Sequence, residues 1–309
     1  MIGNWKFEIG NYLKINKSIL LVILAATLWG GTPPIMKLTL TQIPVFSLAF
    51  IRMSTASIIL GFLIYKNLKI KRADWLTFFW AAVTGVTLNL TFFFIGLKFT
   101  QAILASFLVA AVPILTLLAS HIFLKEKFTL KLIFASTVAF AGVAVLIGNP
   151  SDSVNLAQTF GNILLLLASL AWVAHEIIAK KLLKVYDGGV VAFYSMAIGA
   201  VTFLPMAIVE FLENPAWIKS VNSTGFAGLI YGILFASLTA YWAWQKGLSG
   251  MPAGQASFFF YIDPISGAIF SILLLGEKLT PSLFFGGLLI TAAVLLAEQK
   301  RKNHPLIQS

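Results

Sequence analysis

The stretch from Gly96 to Thr129 is written a second time, from Gly247 to Thr280. Pro264 follows Pro113, and Glu277 follows Glu126, by the same 151 positions. At that single register, without a gap, Gly96, Leu97, Ala102, Ala105, Ser106, Phe107, Ile114, Ser120, Leu124, Lys127 and Thr129 also recur as the same residue type. A pattern that keeps one register across an apolar run and its exit loop marks an internal repeat, which dictates architecture before any single residue does. Whatever one copy folds into, the other must fold into as well.

Hydropathy says what that is. Over 309 residues the mean hydropathy is +0.91, and only 11% of residues are charged. A soluble core of this size needs far more polar surface to cover it. Cys is absent, which excludes a disulfide framework, a thiolate nucleophile and a Cys-ligated metal. The net charge of +11 sits in short clusters between apolar runs, a pattern that orients a chain in a lipid bilayer and does not point to nucleic acid.

A span takes roughly 20 apolar residues to cross about 30 Å of hydrocarbon. That rule predicts ten helices, at 18–38, 45–65, 75–97, 102–124, 130–148, 160–180, 189–211, 224–244, 253–275 and 281–298. Residues 1–17 form a basic tail. The apolar run after it continues past Trp29-Gly30-Gly31 without a clean small-residue cleavage site, so it reads as a retained span and not a signal peptide. Residues 18–148 make the first five-helix repeat and 160–298 the second, joined by a connector at 149–159 and followed by a tail at 299–309. Segments on alternate sides hold 17 of the 22 Lys and Arg residues against four, with Arg52 inside a span. The positive-inside rule therefore puts both tails in the cytoplasm and the connector outside; the membrane expected is the cell inner (plasma) membrane.

Five spans per copy is an odd number, so the second copy enters from the opposite face. The expectation is an all-α membrane protein, its ten transmembrane helices arranged as two inverted five-helix repeats around a central cavity. Many secondary transporters are built in this way, with the site at the interface of the repeats. Duplication without transport, as in a scaffold or receptor, is the alternative.

The residues also carry a resemblance. Leu24-Ala25-Ala26-Thr27-Leu28-Trp29-Gly30 in the first helix and Phe50-Ile51-Arg52 in the second belong to it. So do Pro113 with Leu124-Lys125-Glu126-Lys127, Ala168 to Trp172, and Asp263-Pro264 with Leu275-Gly276-Glu277-Lys278. From about Leu20 to Glu298 the chain resembles the drug/metabolite transporter superfamily, in its EamA-type ten-helix branch. The paired Pro and Glu-Lys at matching positions are the specific part. The resemblance implies a bundle around a central cavity and the export or exchange of small metabolites, amino acids among them, without naming the substrate.

Charges within hydrocarbon cost about 2.5–3.5 kcal/mol each on insertion scales, so each asks for a reason. Arg52 and Asp263 lie within spans at compatible depths. Either they neutralise each other and fix helix packing, or Arg52 meets an anionic group with Asp263 as counter-ion or proton carrier. The repeat counterpart of Asp263 is Val112, so packing alone does not demand a carboxylate there. Pro113 and Pro264 each remove an intrahelical hydrogen bond, and a moving hinge and a static kink both remain open.

His175-Glu176 opens HEIIA, which lacks the second His of the zinc-protease HExxH pattern, so no metal site follows. Glu176 can pair with Lys180 at i,i+4, or His175 can titrate during transport. His121 reads as interfacial. Glu126 and Glu277 read as capping groups just past equivalent helices. Trp29, Trp172, Asn89, Tyr194, Tyr241, Trp242, Gln255 and Tyr261 are polar or amphipathic residues within spans, suited to a small-metabolite pocket or to the interfacial aromatic belt. Gly85, Gly96, Gly142, Gly199, Gly267 and Gly286 read as sites of close helix packing.

The combined reading is a secondary active transporter, an exporter or exchanger of small metabolites, and not an enzyme. It works by rocking one half against the other, with no cofactor. The substrate-binding candidates are Trp29, Arg52, Asn89, Trp172, His175, Tyr194, Tyr241, Tyr261 and Asp263, with Pro113 and Pro264 as hinges. The Walker pattern GxxxxGK[ST] is absent, so energy comes from a gradient, protons included, or from exchange. Its partners are a small-molecule substrate and the lipid bilayer, and it works as a monomer or homodimer.

Overall fold

The computed structural model describes residues 17–100, 102–127, 129–147, 156–275 and 281–298. The tail at 1–16, most of the connector, Glu277 and the tail at 299–309 lie outside the described residues. Within them, all regular structure is helical. In chain order, leaving out the single turn Trp217–Ser220, the helices are α1 (Lys17–Thr39), α2 (Val45–Asn67), α3 (Arg72–Phe99), α4 (Ala102–Val109) and α5 (Val112–Leu124). There follow α6 (Leu130–Ile147), α7 (Leu156–Leu182), α8 (Gly188–Glu213), α9 (Ser223–Ser249), α10 (Ala253–Leu274) and α11 (Pro281–Glu298).

Seven of these, α1, α2, α3, α7, α8, α9 and α10, are long and apolar enough to cross a membrane. The other predicted spans correspond to shorter apolar stretches: Val112–Leu124 in α5, Leu130–Gly142 in α6 and Phe284–Ala293 in α11. The predicted helix at 102–124 is broken. Residues 110 and 111 form a turn between α4 and α5, and Pro113 sits in the first turn of the restarted helix, where its missing N–H costs nothing. Pro264 occupies a similar place. A short 3₁₀ segment, Phe259–Tyr261, precedes it, and α-helix resumes at Ile262. In both copies the repeated proline restarts a helix.

Helix ends are set by local chemistry. Asn222 accepts from the N–H groups of Thr224 and Gly225 at the start of α9, and Asp187 accepts from that of Gly189 at the start of α8. Lys125, at φ 55°, closes α5 in the left-handed conformation. Two further caps come from distant parts of the chain. Glu210 of α8 accepts from the backbone N–H groups of Phe46 and Ser47 at the start of α2. Glu126 accepts from those of Ala253 (2.9 Å) and Gly254 (3.2 Å) at the start of α10, so its expected capping role is met across the two copies.

The most extensive packing pairs α6 with α11, α2 with α8, α3 with α7, and α5 with α10. Each pair joins one copy to the other. Small residues permit it. A side chain on Gly96 would meet the carbonyl of Gly161 at 2.8 Å, and one on Gly161 would meet that of Gly96 at 2.8 Å. Two backbones in direct contact are how membrane helices gain dispersion without a hydrophobic driving force between them. Large apolar side chains such as Phe62, Leu63, Leu212 and Leu273 cover the outside, as lipid contact requires.

Two irregularities went unseen in the sequence. Within α3, Val83–Leu88 is π-helical, and within α9 so is Gly232–Thr239, at nearly corresponding positions of the two copies. Such widened turns leave carbonyls off the regular ladder and concentrate at functional sites.

Candidate functional site

One carbonyl of each π segment is taken up by a side chain from the other copy. Trp29 of α1 donates its indole N–H to the carbonyl of Ala236 at 2.9 Å. Tyr241 of α9 donates its hydroxyl to the carbonyl of Gly85 at 3.0 Å. These bonds fix two large amphipathic side chains side by side, with Trp29 and Tyr241 centroids 5.5 Å apart. Trp172 meets Trp29 edge-on at 5.0 Å, and Phe260 stacks on it at 5.6 Å and 7°. Trp244 lies 4.3 Å from Phe260. Together they form an aromatic floor.

Above this floor lies a cavity of about 80 Å³. Trp29, Thr32 and Pro33 line it from α1, Asn89, Leu90 and Phe93 from α3, and Ala168, Ser169 and Trp172 from α7. Tyr241, Phe260, Val109 and Val112 complete the apolar part. Arg52 and Asp263 are its charged members.

The π segment of α9 holds Arg52. Gly232 has no side chain, and a Cβ there would meet the Arg52 Cδ at 2.7 Å. One guanidinium nitrogen then donates to Ser237 Oγ at 3.2 Å and the other to Met36 Sδ at 3.4 Å, while the group lies 5.3 Å from the Phe94 ring centroid. Nε keeps no partner, although Arg52 is 1% exposed. Asp263 is 3% exposed, and its Oδ1 also keeps no partner. Among the described residues no ion pair forms between them, so the neutralising pair expected as one reading is not made. A guanidinium and a carboxylate thus face one aromatic cavity with capacity to spare.

Six of the nine sequence candidates converge here: Trp29, Arg52, Asn89, Trp172, Tyr241 and Asp263. Asn89 anchors itself by donating to the Ala168 carbonyl at 2.9 Å. The other three lie elsewhere. Tyr194 donates to the Leu68 carbonyl and packs on Trp75 and Phe78. Tyr261 donates to the Ser136 carbonyl in a separate apolar cluster with Phe258. His175 lies beneath the cavity, its ring against Gly85. Its Nδ1 donates to the Ala81 carbonyl at 2.8 Å and its Nε2 accepts from Gln245 Nε2 at 2.8 Å, the neutral tautomer that an amide donor requires. Trp242 and Gln255 are half-buried and do not line the cavity, whereas Phe260, Thr32 and Pro33 do.

One pairing needs correction. Glu176 does not bind Lys180 on the surface of α7. Lys180 reaches instead to the carbonyls of Leu248 (2.6 Å), at the end of α9, and Met251 (2.5 Å), just beyond it. Glu176 is fully buried, and its Oε2 accepts from Thr116 Oγ1 at 2.5 Å. Helical spacing put the two within reach, but the nearby end of α9 offers the ammonium unpaired carbonyls.

Comparison with known proteins agrees with this architecture. The model of the EamA-like transporter family matches twice, over residues 16–148 and 159–298. The chain belongs to that family, within the drug/metabolite transporter superfamily. It is 27% identical over 292 residues to an "uncharacterized transporter" of Archaeoglobus fulgidus, covering 93% of this chain and 99% of that one. The "uncharacterized transporter YwfM" of Bacillus subtilis is 24% identical over 296 residues, with 94% and 97% covered. A crystal structure with 15% identity superimposes with a TM-score of 0.73, covering 92% of this chain and 96% of that one. The protein is therefore a multi-pass membrane protein of a transporter family.

Proposed function

We propose that the protein is a secondary active exporter or exchanger of small zwitterionic metabolites, amino acids foremost, working by alternating access without ATP hydrolysis. The observation that carries this reading is that two ionisable side chains in one cavity each keep an unsatisfied polar atom. Arg52 Nε and Asp263 Oδ1 lack partners in a bundle where unpaired charge is costly. A substrate carboxylate would complete the first and a substrate ammonium the second, while Trp29, Trp172, Tyr241 and Phe260 would take up its apolar part. Substrate release then restores the cost, which favours the change to the other-facing state.

In this reading the chain crosses the bilayer ten times in two inverted copies, with both termini cytoplasmic. The aromatic floor then lies on the cytoplasmic side of the cavity. Beneath it, Glu126 and Lys180 tie the ends of α9 and α10 to the other helices. These contacts make the conformer one closed toward the cytoplasm, and Pro113 and Pro264, each in the first turn of a restarted helix, are where α5 and α10 would bend.

The test is flux in sealed proteoliposomes, with pooled amino acids, nucleosides, sugars and drugs read by mass spectrometry beside Arg52→Ala. Movement of amino acids that is lost in the variant supports the reading. Absence of flux for every pool member, with folded protein, would sink it in favour of a scaffold or receptor.

A further inference from the structure

The cavity leaves one group unused. Glu176 sits on α7 one turn beyond Trp172, 0% exposed, beneath the aromatic floor. Only one of its oxygens is engaged, by Thr116 Oγ1 at 2.5 Å, and Oε1 has no partner. Trp172 turns its indole N–H toward this carboxylate, and that N–H is unpartnered too, because no hydrogen bond closes between them.

The surroundings contain no compensating cation. Among the described residues no cationic side chain lies within 4.0 Å of Glu176. From its own helix it is faced by His175, which is neutral and bound on both ring nitrogens, and by Lys180, whose ammonium is committed to Leu248 and Met251. Helix α5 presents Thr116, and the loop after it presents Glu126, which adds like charge but is committed to the α10 amides. Helix α9 contributes Tyr241, engaged with the Gly85 carbonyl, and Gln245, whose Nε2 is engaged by His175 while its Oε1 keeps no partner, and α3 contributes the Ala81 carbonyl, taken by His175. A buried carboxylate without a cation is stable when it holds a proton, and the unpartnered Oε1 is where that proton fits.

We propose that Glu176, with Thr116, is a proton-binding site beneath the aromatic floor, coupled to the substrate cavity through Trp172. This rests on the transporter reading for its purpose but not for its test. Ionised, the free oxygen of Glu176 attracts the Trp172 N–H and pulls the indole down from the cavity. Protonated, that oxygen becomes a donor, the attraction vanishes and Trp172 returns to Trp29. Because Trp172 belongs to both sites, occupancy of one biases the other, which is the requirement for coupling.

The test uses the full chain in detergent, with protons as the probe. Infrared difference spectra across a pH titration are to be recorded for wild type, Glu176→Gln and Asp263→Asn. A protonated-carboxyl band present in wild type and Asp263→Asn, and lost in Glu176→Gln, supports the site. The Trp172 contribution to fluorescence, taken against Trp172→Phe, should change with pH in step with that band and become flat in Glu176→Gln. Persistence of every band in Glu176→Gln, or a Trp172 signal indifferent to pH, would overturn the proposal. If Glu176→Gln does not fold, Thr116→Val must shift the band's frequency, and an unmoved band counts against the site. None of these readouts needs a substrate, so a failure of flux and a failure of this site are separable.

Discussion

Tyr241, on the second copy, hydrogen-bonds through its hydroxyl to the carbonyl of Gly85 on the first, inside the π segment of α3. Trp29 makes the reciprocal contact into the π segment of α9. Each widened turn exposes a carbonyl, and the opposite copy supplies a donor. Two aromatic residues of the cavity are therefore anchored to irregular backbone of the opposite copy.

Tyr241→Phe should remove one such bond while keeping the ring. Leaving a buried carbonyl without its donor costs about 1 kcal/mol in a membrane bundle. Thermal unfolding in detergent should show a lower midpoint with an unchanged elution profile. An unmoved midpoint would mean that the π segment holds itself.

Arg52→Ala should reduce amino acid flux at least about tenfold, which corresponds to about 1.4 kcal/mol of lost interaction. Arg52→Lys should recover only part of it, because an ammonium cannot reproduce the planar fork that binds a carboxylate at two points. Full recovery by Lys would indicate that charge alone matters at this position.

Asp263→Asn discriminates by chemistry. It should raise the half-saturating concentration for amino acids by about tenfold, again about 1.4 kcal/mol. Carboxylates lacking the amino group should be moved as well by the variant as by wild type, or better. Equal losses for both substrate types would place Asp263 in the scaffold and not beside the ammonium.

The extent to which these residues were legible in the sequence follows from what each signal measures. The repeat and the hydropathy runs report on lipid, so they located the apolar helices, seven of which are long enough to cross a membrane. The cost of charge in hydrocarbon singled out Arg52 and Asp263, and both line the cavity. Rotational setting was not readable. Tyr194 and Tyr261 look like Tyr241 in sequence, but their hydroxyls are turned to the carbonyls of Leu68 and Ser136. Spacing suggested Glu176 with Lys180, and nothing in one helix could announce that the end of α9 and the turn after it would offer Lys180 two carbonyls. The π segments carry no proline or charge to mark them.

Gly161→Ala should destabilise by about 1–3 kcal/mol, since its Cβ would press on the Gly96 carbonyl at 2.8 Å and on Phe99 at 2.9 Å. Gly287→Ala is the control, with nothing within 4 Å of the added carbon. Equal melting midpoints for the two variants would contradict the close contact of α3 and α7.

The absence of cysteine makes orientation directly measurable, because single cysteines can be added to the natural chain. Cysteines replacing Lys66 or Lys184 should react with an impermeant maleimide only in inside-out vesicles. One replacing Ser220 should react only in right-side-out cells. The reverse pattern would invert the proposed topology.

The pairing of α2 with α8, α3 with α7, α5 with α10 and α6 with α11 has a consequence for how the protein is made. A ribosome delivers the first copy whole before the second begins. Until α7 arrives, α3 has no partner for Gly96, and until α11 arrives, α6 has none for Gly142. The first copy must therefore wait in the membrane with its best-fitting faces turned to lipid or to a chaperone. Assembly finishes only when the last helix has been inserted.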